Sequence, residues 1–185
     1  MDIYFVTGNR HKVQEAELAL KCSNIRIHLL DAEKQEPDKW TLEDVARNNA
    51  KRIADETGKT VIIEDTGVFF EAFDNFPGNK PKRYFEQLGY AGLMKKLEHK
   101  ADRSAYFKTV IGYCEPGKEP DLFIGILKGT IATEVKGLEE DVMPYERIFV
   151  CKDGRYLYQY SRKEKNTMSH RAQAFRKLKE YLMTK

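Results

Sequence analysis

The chain has 185 residues, of which 41% are hydrophobic and 33% are charged, so it is long enough to form one domain with a real core. Its net charge of +3 results from 32 basic and 29 acidic residues, a near balance that gives no support for bulk nucleic-acid binding. Three distant cysteines, Cys22, Cys114 and Cys151, form no CxxC pair, which argues against a disulfide framework and a structural zinc site.

The N-terminal segment 1–6 has the pattern of a strand, and it lacks the basic start and apolar core of a signal peptide. No apolar run approaches the about 18 residues that a membrane span requires. These features predict a cytoplasmic protein without a membrane partner.

Strand–helix alternation is predicted for the first half of the chain, where Thr41 begins a capping-box pattern and Gly58 is a typical helix end. The predicted elements are a strand over 3–7, a helix that ends near 21, a strand over 25–30, a helix over 41–58, strands over 61–65 and 68–73, and two short helices between 82 and 96 that are broken at Gly89.

The second half favours long strands and one final helix. The predicted elements are strands over 105–114, 122–127 and 130–135, a strand pair around Asp153-Gly154, and a helix over 169–183. Strand–helix alternation followed by a β-meander predicts a mixed sheet with helices on its flanks.

Two predicted helices begin with basic residues, although a helix N-terminus carries a partial positive charge and usually collects acids. Arg10-His11-Lys12 follows the predicted cap Asn9, His170-Arg171 follows the predicted cap Ser169, and a third possible start, 79–83, is also basic. Either these side chains extend into water or a bound anion offsets their charge, and three such starts favour a multiply charged anionic ligand. Because neither GxxxxGK[ST] nor GxGxxG occurs, a Walker-type phosphate loop is excluded.

Three carboxylates are expected to lie near these basic helix starts. Glu64 and Asp65 end a strand of buried character, and Glu36 lies in a polar loop that follows another strand. Carboxylates at the ends of neighbouring strands can share Mg²⁺, with phosphate oxygens and water completing its shell. A lone acid at a strand end is more often a cap or an ion-pair partner, but its neighbourhood to the Thr7–Lys12 loop favours the metal interpretation.

Several segments together resemble the inosine triphosphate pyrophosphatase family in order and spacing along the whole chain. These segments are Thr7-Gly8-Asn9-Arg10-His11-Lys12 with Glu15, Glu64-Asp65-Thr66-Gly67, Phe76-Pro77-Gly78, Glu164-Lys165-Asn166 and Ser169-His170-Arg171. Members of that family hydrolyse deaminated purine nucleoside triphosphates (ITP, dITP, XTP) to the monophosphate and pyrophosphate.

The resemblance implies an α/β fold of the Maf/Ham1 type. Residues 1–185 would form a single domain with two lobes around a long central mixed β-sheet, flanked by helices, and the substrate would bind in a cleft between the lobes. It also implies Mg²⁺ as cofactor, a homodimer, and a nucleotide rather than a nucleic acid as the ligand.

The resemblance also assigns roles to residues. Asp65, Lys12 and Glu36 would be the catalytic group, with Glu36 and Asp65 as metal ligands and Asp65 as the general base for water. The substrate would contact Thr7, Gly8, Asn9, Arg10, Lys12, Thr66, Lys82, Tyr145, Glu146, Lys165, His170 and Arg171. Among these, His170 and Arg171 would bind the purine at its C6 oxygen, which ITP and XTP carry and ATP lacks.

One segment, 141–147, departs from the family pattern Gly-Phe-Gly-Tyr/Trp-Asp-Pro. Tyr145 keeps the second aromatic residue and Glu146 keeps the acid, whereas Met143, Pro144 and Arg147 stand in place of Phe, Gly and Pro. Loss of an aromatic platform costs on the order of 1–3 kcal/mol of base binding. We therefore expect base selectivity to be affected before hydrolysis.

Two other readings remain open at the level of sequence. The chain could be a related pyrophosphatase with different base specificity, as in the Maf-like proteins, or a nucleotide-binding or RNA-binding protein that has lost catalysis. Lys12, Glu36 and Asp65 favour an enzyme, because binding alone would not need metal-binding acids.

Overall fold

The computed structural model describes residues 1–21 and 25–185, so Cys22 lies outside the described residues. The strands in this part of the chain are β1 (Asp2–Val6), β2 (Arg26–Leu29), β3 (Val61–Phe70), β4 (Pro77–Gly78), β5 (Ser104–Cys114), β6 (Asp121–Ile131) and β7 (Phe149–Val150). The α-helices are α1 (Arg10–Ala19), α2 (Leu42–Thr57), α3 (Pro81–Leu97), α4 (Arg162–Met168) and α5 (His170–Met183), and short 3-10 helices cover Pro144–Arg147 and Leu157–Gln159.

The strands form one mixed sheet in the order β2-β1-β3-β5-β6-β7, with β4 paired to β3. Strand β1 is parallel to both of its neighbours, β2 and β3. Strands β4 and β7 pair antiparallel, with β3 and β6 respectively. The expected α/β fold with a central mixed sheet and flanking helices is therefore confirmed.

The chain forms two compact units, and each is described by itself. Unit 1 comprises Met1–Thr66, Thr109–Gly125 and Asn166–Lys185, and unit 2 comprises Gly67–Lys108 and Ile126–Lys165. Three unit boundaries fall inside β3, β5 and β6, at Thr66/Gly67, Lys108/Thr109 and Gly125/Ile126, and the fourth falls inside α4, at Lys165/Asn166.

In unit 1, helices cover both faces of the sheet. On one face, Ile3, Phe5 and Ile62 pack with Ala16 of α1 and Phe175 of α5. The opposite face carries a second apolar cluster, formed by Val6, Val61, Ile63, Ala50, Ile53 and Ala54, of which the last three belong to α2. Since side chains alternate along a strand, consecutive residues of β3 contact different helices.

Local signals in the sequence are accurate where they rest on capping chemistry. Thr41 and Asp44 form the predicted capping box, and Gly58 ends α2 in the left-handed conformation with φ of 65°. Gly89 also breaks α3 as predicted, with φ of 57° and ψ of −170° between two helical halves. These features depend on a few neighbouring residues, which is why they can be read from sequence.

Strand continuity was predicted less well. The strands predicted over 61–65 and 68–73 are one strand, β3, which continues through Thr66-Gly67 and ends at Phe70. Strand β6 likewise continues from 121 through the predicted break at 128–129, but it ends at Ile131, so residues 132–135 are not a strand as predicted. The strand pair predicted around Asp153-Gly154 is wrong: only an isolated bridge between Val150 and Tyr156 forms there, followed by a 3-10 helix.

Helix α4 had no counterpart in the sequence prediction. Its seven residues, RKEKNTM, contain too few apolar positions to set a helical period. Within residues 1–21 and 25–185, no helix is both long enough and apolar enough to cross a membrane.

Gly125 of β6 allows the start of α5 to lie directly against the sheet in unit 1. A Cβ at this position would collide with the carbonyl oxygen of His170 and would lie 2.8 Å from the amide nitrogen of Ala174. We expect Gly125→Ala to lower the free energy of unfolding by about 1–3 kcal/mol, because the helix would have to shift away. Gly8→Ala is the control, since a Cβ at Gly8 has no atom within 4 Å. Equal denaturation midpoints for the two variants would contradict this account.

Candidate active site

In unit 1, the residues that follow β1 lie beside Glu64 and Asp65, where the parallel pairing of β3 with β1 ends. From β1 the chain passes through α1 to β2 on one side, and from β2 through α2 to β3 on the other side. Such a reversal of strand order leaves a crevice outside the carboxyl ends of the strands, where ligands bind in open α/β sheets. Register pairs Val6 with Ile63, so residues 7–9 and 64–65 meet at this edge.

The segment from Thr7 to Lys12, which includes the first turn of α1, lies on one side of this crevice. Asn9 is the N-cap of α1 as predicted, since its side chain accepts a hydrogen bond from the amide of His11 at 2.9 Å. The amide of Asn9 in turn donates to Thr7 Oγ1 at 3.2 Å. The first turn of α1 contains no acid, so its backbone and its basic side chains present positive charge at this edge.

Glu64 and Asp65 lie on opposite faces of β3 because they are adjacent in a strand. Glu64 shares its face with Ile62 and is directed towards α1 and α5, whereas Asp65 shares the face of Ile63, which packs on α2. Glu64 is only 1% exposed, and Asp65 is half-buried. Two identical functional groups therefore experience different surroundings.

Glu64 is held by cations from two helices. Lys12 Nζ of α1 lies 2.5 Å from Glu64 Oε2, and Arg171 Nε of α5 lies 3.1 Å from Oε1. The Thr66 hydroxyl also donates to Oε1, and it hydrogen-bonds the Thr109 hydroxyl at 2.7 Å. Arg171, which is 2% exposed, makes a second ion pair with Glu15 at 2.7 Å.

This network changes the acidity of its members. Burial alone would raise the pKa of Glu64, but attraction by Lys12 and Arg171 outweighs it and holds the pKa well below its usual range. Burial would also lower the pKa of Arg171, and Glu64 with Glu15 reverses this effect, so the pKa of Arg171 is raised. Glu64 is consequently held in its anionic form by Lys12 and Arg171.

Asp65 behaves in the opposite way. Burial, opposed by Lys12 and Lys34 and reinforced by Glu64 and Glu36, raises the pKa of Asp65 to about 6. A carboxylate with a pKa near the working pH is well matched to accept a proton from water. Adjacent acids of one strand thus separate into an anchor and a candidate base.

Glu36 belongs to the same electrostatic group as Asp65. Lys34 Nζ contacts Glu36 Oε1 at 3.1 Å, and the charges of Asp65, Glu36 and Glu64 raise the pKa of Lys34 against the effect of burial. One ammonium group therefore contacts Glu36 and is influenced by the charges of Asp65 and Glu64. The convergence of Glu36 and Asp65 on one metal ion stays a prediction.

The chemistry of this donor set fits Mg²⁺. Among the described residues, no group of three His, Cys, Asp or Glu side chains is arranged to hold a metal ion. Mg²⁺ is commonly bound by one or two carboxylates, with substrate phosphates and water completing the octahedron. Glu36 and Asp65 would supply such a pair. The contact of the Lys34 ammonium group with Glu36 shows that positive charge is stabilised at this position.

Unit 2 contains four of the predicted site residues, Lys82, Tyr145, Glu146 and Lys165. Lys165 Nζ and Glu146 Oε2 form a buried ion pair at 2.5 Å, with side chains 9% and 7% exposed. Tyr145 is buried between Phe70 and Phe85, and its hydroxyl donates to the Pro81 carbonyl at 2.9 Å. These contacts favour a supporting role for Tyr145 over stacking on a base.

Lys82 and His170 differ in exposure. The Lys82 side chain is 90% exposed, and its Nζ lies 3.8 Å from Glu86 Oε1. Its ammonium group is therefore available to an anion. The imidazole of His170 is buried at the first position of α5 in unit 1. The next residue, Arg171, is paired with Glu15 and Glu64. Helix α5 can therefore begin with basic residues, because these carboxylates offset the positive charge of Arg171.

Three contributors to this site were not assigned by sequence reasoning: Lys34, Glu15 as a partner of Arg171, and Thr109. Lys34 could have been found, because it precedes Glu36 by two residues and would share its side of an extended loop. Glu15 lies 156 positions from Arg171, and Thr109 lies 43 from Thr66. Pairing over such distances leaves no local signal in the sequence.

Known proteins resemble this chain over its whole length. The profile of the Ham1 family matches residues 3–181. A dITP/XTP pyrophosphatase of Methanosarcina mazei is 38% identical, covering 93% of this chain and 92% of the relative. A dITP/XTP pyrophosphatase of Methanopyrus kandleri is 35% identical, covering 98% and 96%. A HAM1 protein of Coxiella burnetii superposes with a TM-score of 0.85 at 26% identity and covers 100% of both chains.

These similarities define an α/β protein with the sheet and helices of the HAM1 structures. The chain belongs to the Ham1 family. The resemblance expected from the Thr7–Lys12, Glu64–Gly67 and Ser169–Arg171 segments is thereby confirmed.

The Glu64 network yields a prediction about stability. Glu64→Gln leaves Arg171 and Lys12 without a buried anion between them, so we expect the free energy of unfolding to fall by about 3–5 kcal/mol in urea denaturation. Glu56→Gln, which removes an exposed ion pair with Arg52 on α2, should cost only about 0.3–0.5 kcal/mol.

A double-mutant cycle identifies the cause. Because Glu64→Gln and Arg171→Met remove the same contact, the double variant should lose less stability than the sum of the two single losses. Strict additivity would mean that the ion pair does not carry the energy.

Proposed function

We propose that this protein hydrolyses non-standard purine nucleoside triphosphates, such as dITP, ITP and XTP, to the monophosphate and pyrophosphate. Curated relatives at 33–38% identity over nearly the whole chain carry the name dITP/XTP pyrophosphatase. The observation that carries the proposal is geometric: the start of α1, which has no acid in its first turn, lies at the sheet edge beside Asp65 and beside Glu64, which Lys12 and Arg171 hold.

In this proposal the triphosphate lies against the N-terminus of α1. Backbone groups of Thr7, Gly8 and Asn9 approach its phosphate oxygens, and the side chain of Arg10 contributes positive charge. Lys12, which is held by Glu64, lies ready to share its charge with a phosphate oxygen. Thr66 and Lys82 are the further candidates for contacts with the triphosphate.

The oxygen of a water molecule bonds to the α-phosphorus while Asp65 accepts a proton from that water. The bond between the α-phosphorus and the bridging oxygen breaks, and pyrophosphate leaves with its electron pair. Glu36 and Asp65 would hold Mg²⁺, which when bound supplies positive charge to the phosphates. Lys34 and Lys12 keep the Asp65 carboxylate accessible as an anion at neutral pH by opposing the effect of burial.

The family resemblance makes Lys165, Glu146, His170 and Arg171 the candidates for recognition of the base. Groups that hydrogen-bond a C6 oxygen are left without a partner when adenine presents an amino group, and this difference can reject ATP strongly. Met143, in the position of an aromatic platform, would weaken stacking.

Turnover with a panel of nucleotides tests the function. With Mg²⁺ present, we expect pyrophosphate and monophosphate to form from dITP, ITP and XTP much faster than from dATP or ATP. Release from dATP as fast as from dITP would favour broadened, Maf-like specificity, and no release from any nucleotide would leave only a nucleotide-binding protein.

Asp65→Asn tests the role of the base. We expect turnover of dITP to fall by at least about 100-fold, because an amide cannot accept the proton, while product pyrophosphate still binds. Asp55→Asn, which changes an exposed acid of α2 paired with Lys51, serves as the control and should keep its rate. A rate near that of the unaltered protein in Asp65→Asn would remove this residue from the base role.

Metal dependence gives a second readout for Asp65. In EDTA at pH 7.5, Asp65→Asn should melt at least about 2 °C above the unaltered protein, because burial penalises the ionised carboxylate and spares the amide. Adding MgCl₂ with pyrophosphate should raise the melting temperature of the unaltered protein well beyond pyrophosphate alone. If Asp65→Asn gains as much from Mg²⁺, Asp65 is not a metal ligand.

We further propose, on the family resemblance, that the protein is a cytoplasmic homodimer without a nucleic-acid partner. Sedimentation equilibrium of the full chain tests the dimer. A monomer at micromolar concentration would contradict it.

A further inference from the structure

Arg147 in unit 2 links its own 3-10 helix to the loop at 137–140 and to Tyr90 of α3. It ends the 3-10 helix Pro144–Arg147, and its Nε donates to the Gly137 carbonyl at 2.8 Å. One terminal nitrogen, Nη2, donates to the Glu140 carbonyl, and the other, Nη1, donates to the Tyr90 hydroxyl at 3.0 Å. All three nitrogens of the guanidinium group are thus engaged within residues 90–147.

Tyr90 connects the last residue of the 3-10 helix, Arg147, with its first residue, Pro144. Its hydroxyl accepts from Arg147 and donates to the Pro144 carbonyl at 3.0 Å, so one oxygen atom closes a ring of contacts around the turn. Its aromatic ring is positioned independently, packing edge-on against Phe85 with centroids 4.8 Å apart. The hydroxyl can therefore be removed while the packing of the ring is retained.

The kink of α3 explains why Tyr90 can reach the turn. Gly89 interrupts the helix directly before Tyr90, and the Tyr145 hydroxyl binds the Pro81 carbonyl at the start of the same helix. The turn Pro144–Arg147 therefore bridges both halves of α3. Loss of either bridge would free the turn to move relative to the helix.

The residue between these bridges is Glu146. Its carboxylate forms the buried ion pair with Lys165, and a buried pair is sensitive to small displacements because the geometry must repay desolvation. Restraining the backbone on both sides of Glu146 restrains the position of the Lys165 ammonium group. Lys165 is one of the groups assigned above to the nucleotide.

We propose that Arg147 and Tyr90 are positioning residues that set base selectivity by fixing the Glu146–Lys165 pair. This inference rests on the proposed function, since it assumes that Lys165 and Glu146 contact the nucleotide. Neither residue needs to touch the substrate. Their effect is exerted through the turn that carries Glu146.

Arg103 provides a matched comparison in the same unit. Its guanidinium group donates to three carbonyls, those of Ile131 at 2.7 Å, Leu97 at 3.0 Å and Ala132, and Nη2 also lies 3.9 Å from Met94 Sδ. These four acceptors all belong to residues outside 137–147. Arg103→Met therefore removes a comparable set of carbonyl contacts without touching the turn.

The experiment compares Tyr90→Phe, Arg147→Met and Arg103→Met in steady-state hydrolysis of dITP and dATP. We expect Tyr90→Phe to raise KM for dITP about fivefold with kcat nearly unchanged, as for the loss of one hydrogen bond, and to lower the dITP/dATP ratio of kcat/KM. Arg147→Met should act in the same direction and more strongly. Arg103→Met should lower the melting temperature while leaving KM and the ratio as they are.

The outcomes separate the two proposals. If the unaltered protein hydrolyses dITP but Tyr90→Phe keeps its KM and ratio, the positioning role is wrong and the function stands. The role is also overturned if Arg103→Met shifts the ratio as much as Arg147→Met, since the effect would then be one of stability. If the unaltered protein releases no pyrophosphate from any nucleotide, the function and this inference both fail.

Discussion

A fully buried carboxylate, that of Glu64, is held in unit 1 by two cations from different helices, Lys12 from α1 and Arg171 from α5. Burying an isolated ion costs far more than a protein of this size can supply, so both cations have to remain in place. The contact therefore ties the starts of α1 and α5 to the end of the parallel part of β3. Glu15 and Thr66 complete the coordination of Arg171 and Glu64, and Gly125 allows α5 to approach closely enough.

The same constraint determines the chemistry of its neighbour. Because Glu64 is occupied by Lys12 and Arg171, Asp65 on the opposite face receives only part of the available positive charge, and burial prevails. Its pKa of about 6 follows from this unequal sharing. A positive loop, an anchored lysine and a tunable acid at one sheet edge are suited to phosphate chemistry, in agreement with membership of the Ham1 family.

Prediction from sequence was accurate where the cause is local. The caps Asn9, Thr41 and Ser169 and the break at Gly89 each involve a few neighbouring residues. It was inaccurate where pairing with distant strands decides the outcome. Strands β3 and β6 continue through Thr66-Gly67 and Lys128-Gly129, because neighbouring strands supply hydrogen-bond partners that outweigh a weak local preference.

The sequence by itself determined the family, the basic helix starts and the candidates for phosphate and metal binding, since these depend on residue type and order. The resemblance had already named Asp65 as the candidate base, but only the tertiary structure shows that Glu64 is the acid held between Lys12 and Arg171. Glu64 and Asp65 are adjacent and chemically alike, and they become different only when α1 and α5 cover one face of β3 and the Lys34–Glu36 loop approaches the other. The same holds for Arg171, whose charge is balanced by Glu15, 156 residues away in the chain.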